Sequence, residues 1–486
     1  MYKTKKVSKF SMLLIVVVIL SMILSACGTP ATAKPAAPAT AAPATAAPAT
    51  AAPATAAPAT AAPAKSNVEL TVFWHQGGLG DYLVDIAKEY TAETGVVVRG
   101  DFVPYGPQWH DKIAADFAAH STSVDLTVFD SQSMSEFASG GHIVKLNDLI
   151  AASDKIKITD FDAAALAAYA EYPDGSGNYY ALPVNQDTMG LVYRKDLFED
   201  PTEKTNFKAK YGYDLAVPKT YTQLRDIAEF FTRPDKNLYG IATYGSRDYD
   251  AVTSPFDGVL WSFGGELWDS KNFTAAGSIN SEASIAACKY YVDLFKYGPP
   301  GMSGWFYDEV NNAVSQGIVA MAINWFYFFH THADPKSNPN FYDKIAFDIL
   351  PGETGPDGTF RQFESIGGQG LGISKYSLHQ KEAWDFIQWF MTKPIQEKWL
   401  AVGAQTGRID LLKSDAYTKV NTFNQFFPTA MGHAKDYWHL AEYPQLLDIF
   451  QVNMSLAVSG EKDCKTALDE TARDQQPLLD EAKAAQ

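Results

Sequence analysis

Acid, amide and aromatic side chains stand where two predicted strands end. Trp74 and Gln76 close the run VELTVFWHQ, and Asp130 closes the run VDLTVFD. Carboxylates and amides hydrogen-bond hydroxyl groups, and aromatic rings offer flat apolar area. Because ligands of open α/β sheets bind just past the strand ends, these residues predict a site for a ligand with polar and apolar faces. Two alternatives stay open: Trp74 packs in the core, or Asp130 caps the helix SMSEF.

Three later segments add polar candidates. Gln186 and Asp187 lie between two apolar runs, a pattern that indicates a site at a hinge or the pairing of hinge backbone groups. Glu364 precedes IGGQG, in which Gly368 lets backbone N–H groups come close to a ligand, or else forms a bulge. Arg408, in QTGRID, offers a planar guanidinium to a pair of hydroxyl groups.

Metal binding and catalysis are weaker interpretations. The segment FFHTHAD brings His330, His332 and Asp334 together, but the chain has only nine His, and a loop or core role is favoured. A glycoside hydrolase needs two carboxyl groups across a cleft, and the acidic candidates offer them. No G-x-S-x-G, H-E-x-x-H or P-loop motif occurs in the sequence. We therefore expect a binding protein without catalytic residues, metal or cofactor.

The chain begins with features of an exported protein. Four lysines precede an apolar run that is shorter than the about 20 residues of a membrane span. LSAC follows and resembles a bacterial lipobox, which implies a signal peptide over residues 1–26 and lipid on Cys27. Residues 27–66 then repeat ATAAP, a composition that cannot form a core and favours extended polyproline II. The segment predicts a spacer between a membrane anchor and a folded domain.

About 420 residues remain, too many for one ordinary core, so we expect two lobes. The formal net charge of the whole chain is −16, which argues against nucleic acid as a partner. Cys288 and Cys464 are the remaining cysteines, and the sequence leaves their pairing open.

Strands and helices alternate at the start of the folded part. VELTVFWHQ, VVVRGDFVP and VDLTVFD predict strands, and DYLVDIAKEYTAETG and WHDKIAADFAAH predict amphipathic helices between them. This order predicts a parallel α/β sheet with crossover helices. Farther on, NYYALPVNQDTMGLVYRKDLF predicts two strands separated by a break at Pro183.

The order of these segments resembles the extracellular solute-binding proteins of ABC importers, in the large family that binds sugars and related solutes. GGHIVKLNDLI, YYALPVNQDTMGLVYRKDLF, WSFGGELWD, GIVAMAINW and GGQGLGISKYSLHQKEAWDFIQWF carry the resemblance, which covers residues 68 to 472. It implies a type II periplasmic-binding-protein fold, with two α/β lobes and a hinge of crossing strands. It places lobe one at residues 68–183 and 368–402, and lobe two at residues 184–367 and 403–486.

The same resemblance implies further site residues and partners. It places an aromatic wall at Trp261, with core packing as the alternative. Asn324 and Trp325 are expected at a strand end in the site, where the ring of Trp325 stacks on the ligand, with Tyr327 as the neighbouring choice. Trp438 is expected in the core or in a lid. The implied function is to bind a mono- or oligosaccharide between the lobes and to deliver it, as a lipid-anchored monomer, to an ABC permease. A polyol, a polyamine or another solute remains the alternative ligand.

Overall fold

The computed structural model describes residues 66–485. The predicted signal peptide, Cys27 and nearly all of the predicted spacer lie outside these residues. Among the residues described, no helix is both long enough and apolar enough to cross a membrane. The strands are β1 Glu69–His75, β2 Val97–Val103, β3 Leu126–Asp130, β4 Ala181–Arg194, β5 Tyr239–Ala242, β6 Val319–Trp325, β7 Ile345–Asp348, β8 Glu353–Thr354, β9 Phe360–Arg361, β10 Glu364–Ile373 and β11 Ala434–Lys435.

Helices cover most of the remaining chain. They are α1 Gly78–Thr94, α2 Pro107–Ala118, α3 Met134–Ser139, α4 Asn147–Ala151, α5 Ala163–Tyr169, α6 Lys195–Glu199, α7 Pro201–Tyr211, α8 Tyr221–Phe231, α9 Thr253–Ser262, α10 Glu282–Leu294, α11 Tyr307–Ser315, α12 Phe326–Ala333, α13 Gln380–Phe390, α14 Lys393–Ala401, α15 Ile409–Leu412, α16 Asp415–Val420, α17 Phe427–His433, α18 Tyr443–Val458 and α19 Cys464–Ala485.

The main sheet has the strand order β2-β1-β3-β10-β4-β6-β5, with β7 paired to β4 and β11 to β10. The strands β1, β2 and β3 are parallel, as the alternation of strands and helices predicts. Strand β10 pairs antiparallel with β3 through Gln369–Ile373 and with β4 over a longer stretch. The far half of β4 pairs with β6 and β7. Strands β4 and β10 therefore connect the two ends of the sheet, which is the architecture of crossing hinge strands.

Two buried clusters pack on either side of these connecting strands. One contains β1, β2 and β3 together with α1, α2, α13 and α14. The other contains β5, β6 and β7 with α8, α9, α10 and the C-terminal helices. The fold is thus α/β with two cores joined by a hinge, as expected. The residue boundaries given above for the two lobes stay a prediction.

The predicted break at Pro183 is wrong, because β4 runs without interruption from Ala181 to Arg194. A shift in register accommodates the proline. Gln369 pairs with Asn185 and Gly370 pairs with Pro183, so that β4 has one extra residue at this point. A bulge of this kind allows a proline, which has no N–H to donate, inside a sheet.

Candidate functional site

A cavity of about 210 Å³ lies where β1, β3, β4, β6 and β10 meet, and residues of both cores line it. The lining residues are His75, Gln76, Gly77, Leu79, Tyr105, Asp130, Ser131, Gln132, Asn185, Asp187, Asp250, Phe306, Tyr307, Trp325, Tyr327, Phe328, Gly367, Gly368 and Gln369. Five of the predicted site residues line this cavity: Gln76, Asp130, Asp187, Trp325 and Gly368.

The end of β1 contributes a neutral histidine. The ring of His75 makes edge contacts with Tyr105 and Trp109, at centroid distances of 5.0 and 4.9 Å. Burial lowers the pKa of His75 to about 4, against the backbone hydrogen bond at Gln76. Because His75 Nδ1 lies 2.9 Å from the carbonyl oxygen of Gln76, Nδ1 carries the proton and Nε2 is an acceptor.

Asp130, at the end of β3, accepts two hydrogen bonds from distant segments. Tyr249 donates its hydroxyl to Oδ2 at 2.5 Å, and Gln369 donates Nε2 to Oδ1 at 3.1 Å. Burial, together with the nearby charge of Asp250, raises the pKa of Asp130 to about 7, although both hydrogen bonds oppose the rise. Asp130 makes no capping bond to the following helical turn, so the capping alternative is not realised.

Asp250 lies in the segment before α9 and faces Gln132, which follows β3. Gln132 donates Nε2 to Asp250 Oδ2 at 3.5 Å. Burial raises the pKa of Asp250 to about 6. The polar residues of β3 and of the segment before α9 therefore meet at one wall.

Asp187 lines the cavity and also accepts hydrogen bonds from the backbone. Its Oδ1 accepts from the N–H of Thr188 at 2.9 Å and from the N–H of Tyr327 at 3.1 Å. The second bond fixes the start of α12, where unpaired N–H groups need an acceptor. Burial raises the pKa of Asp187 well above its ordinary value, and these two bonds oppose the rise.

Aromatic side chains also line the cavity. Trp325 ends β6 and is only 7% exposed. Tyr327 and Phe328 follow in α12, and Phe306 and Tyr307 lie in contact with each other at a ring distance of 4.7 Å. The cavity lining thus combines rings with carboxyl and amide groups, which suits a ligand with hydroxyls and apolar C–H faces.

Gly368 occupies a position at which any side chain would be strained. Its φ is +102°, and a Cβ there would lie 2.6 Å from the backbone oxygen of Asn185. We expect Gly368→Ala to lower the free energy of unfolding by about 1–3 kcal/mol. Urea denaturation measures the change. Gly432→Ala is the matched control, because no atom lies within 4 Å of a Cβ at Gly432; equal effects of the two substitutions would contradict this account.

Trp74 and Trp261 do not line the cavity. Trp74 is fully buried in the first core, 6.2 Å from the ring of Trp399. Trp261 is buried in the second core, with the ammonium of Lys435 at 5.1 Å from its ring. It borders a separate cavity of about 480 Å³, beside Trp268. Both tryptophans therefore have the core role that was the alternative interpretation.

Three further predicted site residues, all polar, bond to other parts of the protein and do not line the cavity. Gln186 donates Nε2 to the carbonyl oxygen of Thr406 at 2.6 Å. Asn324 donates Nδ2 to Asn311 at 2.7 Å and is fully buried. Arg408 holds Asp410 at 2.9 Å in an ion pair. Each side chain is occupied by the protein, so none of the three reaches the cavity.

Glu364 is fully buried and away from the cavity lining. Its Oε1 accepts from the N–H of Leu350 at 3.1 Å, and its Oε2 has no partner. Burial raises the pKa of this carboxyl well above its ordinary value, although the Leu350 bond opposes the rise.

Glu364→Gln is expected to stabilise the protein at alkaline pH and to leave ligand affinity unchanged. A carboxyl with a raised pKa in the folded chain loses stability as the pH climbs above the ordinary carboxyl range, and glutamine cannot ionise. Urea midpoints of both proteins at about pH 5 and about pH 8 measure this difference. An identical pH dependence in the two proteins would refute the assigned ionisation.

Several lining residues lie outside every predicted group. Tyr105, Asp250, Phe306 and Tyr307 belong to loops or helix starts that carry no regular pattern. An acid beside a tyrosine in SRDYDAV, soon after β5, is the one signal that would have indicated Asp250.

The metal interpretation gains nothing from the structure. His330 and His332 lie in helix α12, and His332 is fully buried. Over residues 66–485, no three His, Cys, Asp or Glu side chains are grouped so that they could hold a metal ion.

Residues 76–397 match the family of bacterial extracellular solute-binding proteins. This match spans more than half of the chain, and the chain therefore belongs to that family.

Individual relatives agree with this assignment. A Brucella abortus protein described as a binding protein is 23% identical over 361 residues, which are 72% of this chain and 80% of that protein. A solute-binding protein of an ABC transporter from Agrobacterium radiobacter, solved with ribitol, has a TM-score of 0.72 at 24% identity and covers 85% of this chain and 98% of its own. Maltose-bound MalE3 of T. maritima gives 0.72 at 23% identity, with 85% and 100% covered. The fold is therefore that of the type II periplasmic binding proteins.

Proposed function

We propose that this protein captures a small polyhydroxylated solute in the cavity and delivers it to the permease of an ABC importer. One observation supports the proposal most directly: Trp325, Tyr327 and Phe306 line the same cavity as Asp130 and Asp250. Rings together with carboxyl groups match the two chemistries of a sugar or polyol. The bound ligands of the structural relatives, ribitol and maltose, belong to the same chemical class.

The size of the cavity favours a single sugar unit or an acyclic polyol over an oligosaccharide. Its volume is about 210 Å³. Pockets for drug-sized ligands begin at about 300 Å³. A longer chain of sugar units would need the cavity to open further than it does here.

Contacts between the two cores explain how a ligand would favour the closed arrangement. Tyr249 bonds to Asp130, and Gln132 bonds to Asp250, at the wall of the cavity. A ligand that touches both walls stabilises only the arrangement in which the walls are close, because the open form lacks half of the contacts. The closed form would then be the one that docks on the permease, with the chain tethered through lipid on Cys27.

Isothermal titration calorimetry of the purified protein against monosaccharides, pentitols and hexitols, and short oligosaccharides tests the proposal. We expect heat of binding with at least one monosaccharide or polyol and weaker binding of its oligomers. The absence of heat with every compound would overturn the proposed function. Chromatography of an oligosaccharide after incubation with the protein checks the enzymatic alternative, for which cleavage would be the opposing result.

A further inference from the structure

The cavity has three buried polar atoms without partners, and all three are acceptors. They are Gln132 Oε1, Asp250 Oδ1 and Gln369 Oε1. The residues that carry them are 3%, 2% and 8% exposed. A buried polar group without a partner is costly, so these atoms point to a ligand that donates hydrogen bonds.

The orientation of both amide groups follows from their neighbours. Gln132 Nε2 faces a carboxylate oxygen of Asp250, and Gln369 Nε2 faces one of Asp130. When Asp130 and Asp250 are ionised their oxygens only accept, so each amide nitrogen then points toward its carboxylate. Each amide oxygen is then without a hydrogen-bond partner in the protein.

The charged side chains that line the cavity are all acidic. Asp130, Asp187 and Asp250 line the cavity, and none of the described residues that line it is Lys or Arg. Asp436 lies behind this wall and accepts from Ser131 at 3.4 Å. The other titratable groups around Asp130 and Asp250 include Asp257, His75, which is neutral, and the tyrosines Tyr105, Tyr244, Tyr249, Tyr437 and Tyr443.

We propose that the solute carries a protonated amine, as an amino sugar does, and that Asp250, Gln132 and Gln369 receive its ammonium group. This inference rests on the proposed function. An ammonium has three N–H donors and no acceptor, whereas a hydroxyl donates only once. The aromatic wall adds favourable contact with a cation and with the C–H face of a sugar ring, which distinguishes this ligand from a linear polyamine.

The carboxyl groups supply a second signature of the same ligand. In the free protein the pKa of Asp130 is about 7 and that of Asp250 about 6, both raised mainly by burial. A cation bound near both groups favours their charged forms and lowers both pKa values. Binding of an amine near neutral pH therefore releases protons, and binding of a neutral sugar does not.

Calorimetry at about pH 6.5 with matched pairs tests this inference: glucosamine and glucose, galactosamine and galactose, mannosamine and mannose. For at least one pair we expect the amine to bind at least about tenfold more tightly, since charge-assisted hydrogen bonds are the stronger ones. Repeating the titration in buffers of different ionisation enthalpy should show proton release for the amine alone.

The possible failures are distinguishable. If neutral sugars or polyols bind and no amine is preferred, the amine inference is overturned and the proposed function stands. If spermidine binds and the amino sugars do not, the sugar part of the ligand is wrong. If no sugar, polyol or amine gives heat, both proposals are overturned.

A variant and its control locate the effect. Asp250→Asn keeps the shape of the side chain and removes its charge, so the preference for the amine and the proton release should disappear while the neutral partner still binds. Asp248→Asn makes the same chemical change on an exposed side chain two residues away and should keep the preference. A preference that survives in Asp250→Asn contradicts the role assigned to Asp250.

Discussion

Trp325→Ala is expected to weaken binding of the solute by about 1–3 kcal/mol while the protein stays folded. Trp325 ends β6 and stands against Gly367, where a Cβ would lie 2.7 Å from the indole ring. The glycine leaves room for the ring, which forms part of the cavity wall. Removing the ring takes away a flat apolar surface that the ligand would otherwise cover. Calorimetry gives the dissociation constant, and circular dichroism confirms the fold.

Two further variants separate ligand contact from general damage. Trp325→Phe keeps an aromatic surface and should retain most of the affinity. Trp268→Ala removes the same side chain from the border of the separate cavity, where no ligand contact is proposed. An unchanged dissociation constant in Trp325→Ala removes that residue from the site, and an equal loss in Trp268→Ala assigns the effect to stability.

The strand ends were predictable because the strands themselves have a clear pattern. Buried runs such as VDLTVFD indicate where β1 and β3 end, and parallel strands bring their ends to one edge of the sheet. Gln76 and Asp130 reach the cavity for this reason. The crossing of β4 and β10 came from the family resemblance, since no local pattern indicates which distant strands pair.

Errors at the strand ends follow from the alternation of side chains. Successive residues of a strand point to opposite faces, so only one of two neighbours meets the cavity. His75 lines it and Trp74 does not; Trp325 lines it and Asn324 does not. In each pair both side chains could bind a sugar, and composition alone does not show which of the two faces the cavity.

The loop residues of the site could not be predicted from the sequence for a different reason. Tyr105 and Asp250 are 145 positions apart, yet burial and, after it, the charge of Asp250 raise the pKa of Tyr105. Their approach depends on how the two cores close against each other. Tertiary packing of this kind leaves no period in the local sequence.

Two of the glycines of β10, Gly367 and Gly368, connect the core to the site. Gly367 makes room for Trp325, and Gly368 allows β10 to approach Asn185 of β4. The hinge strands thus contribute directly to the cavity wall, and a ligand there contacts the hinge as well as both cores. Bending at these strands and filling of the cavity are therefore expected to be coupled.

Loss of the disulfide between Cys288 and Cys464 is expected to lower the free energy of unfolding by up to about 5 kcal/mol, because the bond closes a long loop in the unfolded chain. The two residues are 176 positions apart and join α10 to the start of α19. The sequence left this pairing open, since only the folded chain brings the two helices together. Urea denaturation with and without a reducing agent measures the effect.

The double variant Cys288→Ala, Cys464→Ala is the control for this measurement. It should unfold at the lower urea concentration of the reduced protein and should not respond to the reducing agent. Because neither cysteine lines the cavity, both forms are expected to bind the solute with the affinity of the oxidised protein as long as they are folded. Equal stability of the oxidised and reduced proteins would mean that the bond does not form, or that the unfolded chain is already compact enough for its loss to be neutral; mass spectrometry of alkylated thiols distinguishes the two.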